Sequence, residues 1–258
     1  MEILDKAGAH GKLPSHSDFV SQGLTPAFVS GWDDWLQRGL ACSQERLGPQ
    51  WLDIYLTSPV WRFVLSSGVV DTQVWAGVMI PSVDRVGRYY PFTVAWPLPS
   101  SVLPTALPVQ QVDWFGELET VALAGLQDGV TIDALEPMLA RIAAPENLTQ
   151  NQAGQWEMGR PLALFLQQPG QNILSTFPVL QHSFLMQRFP SYSLWWSVGS
   201  ERVSPAFLTS AYLPPPQSYT AMLAGDWEQR GWSIPFGQVA PLTAPQCSPD
   251  TNDTVQNE

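Results

Sequence analysis

Two short stretches contain most of the side chains that could do chemistry in this chain. The first, residues 10–18, concentrates titratable groups, namely His10, Lys12, His16 and Asp18. The second, residues 81–88, contains Asp84 together with Arg85 and Arg88. Carboxylates and imidazoles can act as general acids and bases, and arginines can bind a carboxylate or phosphate through two parallel hydrogen bonds. The two stretches therefore suggest either an acid–base centre or an anion-binding fork.

A structural role explains the same residues more economically. Asp18 can turn or cap the backbone through its own carboxylate, as Asp often does in loops. Asp84 with Arg85 and Arg88 can form a salt-bridge cluster that orders the end of a hairpin. The residue types do not decide between loop ordering and ligand binding, and both interpretations stay open here.

The sequence contains no complete catalytic motif. Gly11-Lys12 looks like the end of a phosphate-binding loop, but Leu13 stands where that loop needs Ser or Thr. There is no Gly-x-Ser-x-Gly nucleophile motif, and the three histidines lack metal-ligand spacing. We therefore assign no catalytic residue, cofactor or metal ion. One alternative stays open, a small-molecule or phosphoryl-transfer enzyme that uses the two stretches together.

The composition limits the classes of partner. Hydrophobic residues make up 45% and aromatic residues 11% of the chain, which is typical of a folded globular protein. The net charge of −11 argues against binding to nucleic acid and against attraction to anionic membrane surfaces. The N-terminus lacks the basic and apolar regions of a signal peptide, and no run approaches the ~20 apolar residues of a membrane helix. The expected compartment is the cytoplasm.

The clearest predicted element is a helix over residues 26–47. Thr25 can cap its N-terminus, Pro26 fits the first helical position, and Gly48-Pro49 ends it. Apolar side chains recur at helical steps along one face, namely Phe28, Trp32, Trp35, Leu36, Leu40 and Leu47. This face predicts a helix that packs on the core, so its tryptophans are more economically core residues than ligand contacts.

The other predicted elements alternate along the chain. Apolar and β-branched runs predict strands over residues 60–66, 73–80, 92–96, 161–167, 192–198 and 203–208. Further helices are predicted over residues 111–126, 132–143 and 218–224, and toward the end of 173–189. Pro97 is expected to end the third strand, because proline donates no backbone hydrogen bond.

These elements predict an α/β fold. Short connections between the early strands favour antiparallel neighbours, since a parallel crossover needs a dozen residues or more. We expect one mixed, largely antiparallel sheet that is covered by helices on both faces. Residues 1–240 are predicted to form a single domain, and residues 241–258 an acidic, disordered tail.

An ordered series of motifs runs through the first hundred residues. The series is Gly11-Lys12-Leu13-Pro14, Asp18-Phe19-Val20, Trp32-Asp33-x-Trp35-Leu36, Trp51-Leu52-x-x-Tyr55-Leu56-x-x-Pro59-Val60-Trp61-Arg62-Phe63 and Gly77-Val78-Met79-x-Pro81-Ser82-Val83-Asp84-Arg85-Val86-Gly87-Arg88. It resembles the TagF family, whose members are associated with type VI secretion. The match is dense over about residues 8–98 and continues thinly through Ser193-Leu194-Trp195-Trp196.

The resemblance implies both a fold and a function. The implied fold is a three-layer α/β/α sandwich, in agreement with the sheet predicted above. The implied function is that of a non-enzymatic, cytoplasmic accessory protein that represses type VI secretion post-translationally. Its implied partner is a forkhead-associated-domain scaffold protein, and binding would oppose a threonine-phosphorylation pathway that activates secretion. A purely structural subunit of the secretion assembly is a further alternative.

The charged and aromatic positions inside these motifs are the candidate interaction residues. They are Lys12, Asp18, Trp32, Asp33, Trp61, Arg62, Ser82, Asp84, Arg85 and Arg88. Some family members carry a fused metal-dependent Ser/Thr phosphatase domain, for which this chain has neither the length nor the Asp-rich motifs. The family pattern also tends to have glycine before the first-loop aspartate, where this chain has Ser17.

Overall fold

Five of the six apolar runs that the sequence predicts as strands form a seven-stranded sheet together with two short strands near the start of the chain. A computed structural model describes residues 6–151, 154, 159–166, 170–237 and 239. Its strands are β1 (Gly8–Gly11), β2 (Val20–Gln22), β3 (Trp61–Leu65), β4 (Val74–Ile80), β5 (Phe92–Leu98), β6 (Tyr192–Ser197) and β7 (Ala206–Ala211). Their order across the sheet is β2-β1-β5-β4-β3-β6-β7.

Neighbouring strands of this sheet run antiparallel. The pairs formed by chain neighbours, such as β3–β4 and β4–β5, were expected to do so. The two pairs that join distant parts of the chain, β1–β5 and β3–β6, are antiparallel as well. The expectation of a mixed sheet was therefore wrong in that one respect for the described strands. The connections into these two pairs are long enough to permit either direction, so their lengths alone could not settle it.

Helices cover both faces of the sheet. They are α1 (Pro26–Leu47), α2 (Trp51–Leu56), α3 (Leu107–Gln110), α4 (Val112–Gly125), α5 (Ile132–Arg141), α6 (Phe177–Arg188) and α7 (Pro216–Ala224). The core between the sheet and α4 and α5 includes Phe115, Leu118 and Leu135. The core on the opposite face lies beneath α1, α2 and α7. The architecture is the α/β class with three layers that the sequence predicted.

The strands alternate between the two cores with the period of two that a pleated sheet requires. Phe63 and Leu65 of β3 face α1, whereas Val64 between them faces α4. The same alternation places Trp75 beneath α1 and Ala76 beneath α4. All seven residues of β4 and all seven of β5 are buried, because helices cover both sides. The middle of the sheet is thus a rigid base for the loops at its ends.

Local signals predicted α1 to the residue. Thr25 Oγ1 accepts a hydrogen bond from the Phe28 N–H at 3.1 Å, as an N-cap does. Gly48 ends the helix with a positive φ of 53°, a backbone conformation that residues other than glycine rarely adopt. Trp32 and Trp35 are buried in the core beneath the helix. Their interpretation as core residues is confirmed.

Three predictions about strands need correction. Pro97 does not end β5 but pairs with Trp75 inside it, at a point beyond the last β1 partner, Ala95. A proline is tolerated at this end of β5 because β4 is the only described strand that pairs with residue 97. Residues 161–166 form no strand and are exposed, with no strand beside them to pair with. β7 begins at Ala206 rather than residue 203.

Two further predictions are not settled. The single domain over residues 1–240 stays a prediction. The tail predicted over residues 241–258 lies outside the described residues, as does residue 167 at the end of the predicted 161–167 strand.

Candidate interaction site

The connector between β4 and β5 is a tight, closed hairpin. Val83 and Tyr89 pair as an isolated antiparallel bridge at its base. The Asp84 N–H donates to the Arg88 carbonyl at 3.0 Å, and the Gly87 N–H donates to the Asp84 carbonyl at 3.0 Å. Gly87 has φ of +88°, which favours glycine at this position. The turn thus presents residues 85–88 outward from the sheet.

One buried carboxylate organises this hairpin. Asp84 Oδ1 accepts the backbone N–H groups of Val86 at 3.0 Å and Arg88 at 2.8 Å. Asp84 Oδ2 accepts Lys12 Nζ at 2.9 Å and Arg88 Nε at 2.7 Å. Burial by itself would raise the pKa of Asp84, but the hydrogen bonds from Arg88 and Lys12 outweigh it and hold that pKa well below its usual range. The carboxylate is ionised, and both of its oxygens are occupied.

The same hairpin fastens the loop that follows β1. The Arg85 N–H donates to the His16 carbonyl at 2.9 Å, and Arg85 Nη2 donates to Ser17 Oγ at 2.9 Å. Arg88 Nη2 donates to the Ser17 carbonyl and lies 3.6 Å from Asp18 Oδ1. The two stretches that the sequence singled out, residues 10–18 and 81–88, are therefore one structural unit.

Ser82 ties this unit to the core. Its Oγ donates to the Lys12 carbonyl at 2.7 Å, which joins the hairpin to the end of β1. Its N–H donates to the Tyr55 hydroxyl at 3.0 Å, and that hydroxyl donates to the Ser82 carbonyl at 2.9 Å. Burial raises the pKa of Tyr55 well above its usual value, so the hydroxyl stays protonated and able to donate. Helix α2, through Tyr55, thereby holds the hairpin in position relative to the sheet.

An aromatic cluster lies beside the ion pair. The Phe19 ring stacks on His10 with centroids 5.7 Å apart and meets Tyr90 edge-on at 4.7 Å. Lys12 Nζ lies 5.1 Å from the Phe19 centroid, within cation–π distance. The Tyr90 hydroxyl donates to Asp33 Oδ1 at 2.8 Å. Phe19 therefore forms a half-exposed cover over the buried groups of β1.

His10 is the least satisfied group in the cluster. It is buried, and neither of its ring nitrogens has a hydrogen-bond partner among the described residues. Burial lowers the pKa of His10, and the attraction of the Asp33 carboxylate offsets only part of that effect. The imidazole is thus held neutral at neutral pH.

The arrangement is suited to binding rather than to acid–base chemistry. Asp84 cannot act as a free base, because four N–H groups already occupy its carboxylate. Within the described ranges of the chain, no group of three or more His, Cys, Asp or Glu side chains is placed to hold a metal ion. A groove of about 330 Å³ lies elsewhere, between α1 and residues 212–216. What the site does present is a fixed turn with two exposed arginines.

Comparison with known proteins agrees with this architecture. The family model for the TagF N-terminal domain, described as type VI secretion system-associated, matches residues 8–142, which is more than half of the chain. The chain belongs to the TagF family. It is therefore a type VI secretion-associated protein, and the matched region contains both halves of the site, β1 with its loop and the hairpin.

A solved structure is similar to this TagF chain over most of its length. The crystal structure of PA0076 from Pseudomonas aeruginosa PAO1 matches with a TM-score of 0.72 and 33% sequence identity. The match covers 92% of this chain and 98% of PA0076. A search of curated proteins found no match. Among the helices of the described residues, none is long and apolar enough to cross a membrane.

Three of the candidate interaction residues lie away from the hairpin of this TagF chain. Trp32 is on the buried face of α1, where its Nε1 donates to Thr93 Oγ1 of β5 at 3.0 Å. Trp61 is also buried, and its Nε1 donates to the Met222 carbonyl at 3.0 Å. Arg62 lies on the other face of the sheet and pairs with Glu119 of α4 at 2.8 Å. These positions of the TagF motifs hold layers together, so they make poor contacts for a partner.

The other seven candidates lie in the hairpin unit or next to it. Six take part in the contacts between the hairpin and the first loop, namely Lys12, Asp18, Ser82, Asp84, Arg85 and Arg88. Asp33 reaches the neighbouring aromatic cluster through Tyr90. Sequence reasoning did not single out Phe19, Tyr55 or Tyr90 as parts of this unit. Phe19 and Tyr55 are aromatic residues inside motifs of the TagF series, and Tyr90 follows the last motif by two residues, which is the signal that was available.

Proposed function

We propose that this chain represses type VI secretion post-translationally, as a non-enzymatic accessory protein of the cytoplasm. The observation that carries the proposal is the TagF family match over residues 8–142. The TagF resemblance further implies a forkhead-associated-domain scaffold protein as the partner, and we include that partner in the proposal. Binding to the scaffold would oppose the threonine-phosphorylation pathway that activates secretion.

The geometry of the hairpin supports a binding role over the enzymatic alternative. Lys12 and Arg88 share the Asp84 carboxylate, so these charged groups bond to one another instead of facing a reaction centre. The bonds from Arg85 and Arg88 to the 16–18 loop use backbone and hydroxyl oxygens, which order the surface without preparing a nucleophile. A surface ordered before binding loses little conformational entropy when it meets a partner.

Deletion of the gene separates a repressor from a structural subunit. We expect the deletion strain to release more type VI substrate into the medium than the wild type, with transcript levels of the secretion genes unchanged. Expression of the unaltered chain in trans should return secretion to the lower level. Loss of secretion on deletion would instead identify a structural part of the machine, and unchanged secretion would contradict repression.

A further inference from the structure

The outward side of the 85–88 turn is basic within an acidic chain. We name residues Arg85, Val86, Gly87 and Arg88 the arginine tip. All four are exposed, and the Val86 side chain is 62% exposed. The chain as a whole carries a net charge of −11. The tip therefore combines positive charge and apolar surface in a molecule whose overall field is negative.

The backbone of the arginine tip is fixed from within the chain. The Asp84 carboxylate accepts the N–H groups of Val86 and Arg88, and the Arg85 N–H is held by the His16 carbonyl. The donors of the turn are thus satisfied before any partner arrives. The backbone of the tip is set before binding, which lowers the entropy cost of recognition.

Charge at the arginine tip is not fully balanced. Arg88 shares Asp84 with Lys12 and lies 3.6 Å from the exposed carboxylate of Asp18. The Arg85 guanidinium bonds to the neutral hydroxyl of Ser17, and no carboxylate in the described part of the chain lies within 4.0 Å of it. Arg85 therefore carries a positive charge that remains available to a second molecule. Its planar group can bind a carboxylate through two parallel hydrogen bonds.

We propose that the arginine tip is the docking surface of this chain and that it binds an acidic, carboxylate-bearing segment on the partner protein. This inference rests on the proposed function, in which the partner is the forkhead-associated-domain scaffold. An acidic segment is repelled by most of this chain and attracted at the tip, so the charge distribution selects one orientation of approach. Val86, between the arginines, is 62% exposed and adds apolar surface that a partner can bury.

The test measures binding of the purified chain to the purified scaffold by biolayer interferometry. We expect Arg85→Glu to weaken binding about tenfold or more, and Val86→Asp to weaken it as well, because both place negative charge against the acidic segment. Matched controls carry the same changes elsewhere. Arg38→Glu alters an exposed arginine of α1, and Val109→Asp alters a valine that is 72% exposed in α3. Both controls should bind like the unaltered chain.

Two further measurements identify the chemical group on the partner that the arginine tip binds. Higher ionic strength should weaken binding of the unaltered chain and should have less effect on Arg85→Glu, since exposed charges are screened by salt. Phosphatase treatment of the scaffold should leave binding unchanged if its carboxylates are the ligand. Loss of binding after that treatment would overturn the carboxylate assignment in favour of phosphate.

The outcomes also separate this inference from the proposed function. If the unaltered chain binds and Arg85→Glu and Val86→Asp bind equally well, the arginine tip is not the docking surface, although the proposed partner stands. If the unaltered chain does not bind the scaffold, both proposals fail. A thermal unfolding curve for each variant checks that a loss of binding is not a loss of fold.

Discussion

At the scale of residues, Asp84 connects three separate parts of the chain. Its carboxylate bonds to Lys12 at the end of β1 and to the backbone of its own turn, and through Arg88 it reaches the 16–18 loop. Lys12 and Asp84 are 5% and 3% exposed, so their ion pair is buried. Removal of one partner from a buried pair costs more than removal from an exposed pair, because the remaining charge stays in a poorly solvated place.

This buried pair leads to a prediction about stability. We expect Lys12→Met to lower the free energy of unfolding by about 3 kcal/mol, the low end for a broken buried pair, because Arg88 and two N–H groups still hold Asp84. Urea unfolding of both chains measures this change in the free energy of unfolding. The control is Arg38→Met, which breaks the exposed pair with Asp34 and should cost less than about 1 kcal/mol. Equal losses in the two variants would contradict the importance assigned to burial.

His10 gives the stability a dependence on pH. Its pKa is lowered from 6.5 in the folded chain, mainly by burial, so the unfolded chain binds more protons than the folded chain below pH 6.5. The neutral imidazole therefore makes its full contribution to the free energy of unfolding above pH 6.5. This contribution is lost as the pH falls through the lower pKa that His10 has in the folded chain. Between those values, acid destabilises the fold.

A substitution isolates this effect. We expect His10→Leu to unfold at a higher temperature relative to the unaltered chain as the pH is lowered below 6.5, since leucine cannot take up a proton. Burial also lowers the pKa of His182. The unfolding temperature of His10→Leu should therefore still fall as the pH is lowered, and this remaining dependence on pH should disappear only when His182→Leu is added. A difference between His10→Leu and the unaltered chain that is independent of pH would show that His10 does not titrate with folding.

At the scale of elements, signals that act within a few residues were predictable and contacts between strands were not. Thr25, Pro26 and Gly48 determine the ends of α1 locally, and the predicted bounds are correct. Whether Pro97 ends β5 or lies inside it depends on where β1 stops pairing with β5, which the sequence near residue 97 does not encode. In the same way, the residue types of Lys12 and Asp84 made them candidate interaction residues, but the two residues are 72 positions apart in the chain. Their pairing needed the sheet.

The hairpin turn itself can be tested through its glycine. Gly87 has φ of +88°, and an added Cβ would meet no heavy atom within 4 Å, so Gly87→Ala introduces conformational strain without a clash. We expect a loss of about 1–2 kcal/mol in the free energy of unfolding. Gly116→Ala in α4 is the matched control, since its Cβ also meets nothing within 4 Å but its helical backbone favours alanine. That variant should gain up to about 1 kcal/mol, and a loss there would contradict the argument.

At the scale of the whole molecule, the family match and the sheet have different boundaries. The TagF N-terminal model ends at residue 142, after α5. β6 and β7 come later in the chain and complete the sheet beside β3, while α7 packs against α1. Trp195 of β6 stacks on Trp32 with centroids 5.8 Å apart, deep in the core beneath α1. The later strands are thus part of the same core as the matched region.

The late arrival of β6 has a consequence for synthesis on the ribosome. Ser191, just before β6, bonds to Ser67, just after β3, across 124 residues of chain. At the usual pace of translation, that separation corresponds to a delay on the order of ten seconds. During this interval β3 presents an unpaired edge, and Trp32 lacks its contact with Trp195. Nascent chains of this protein are therefore expected to need protection from one another until the last third of the sequence emerges.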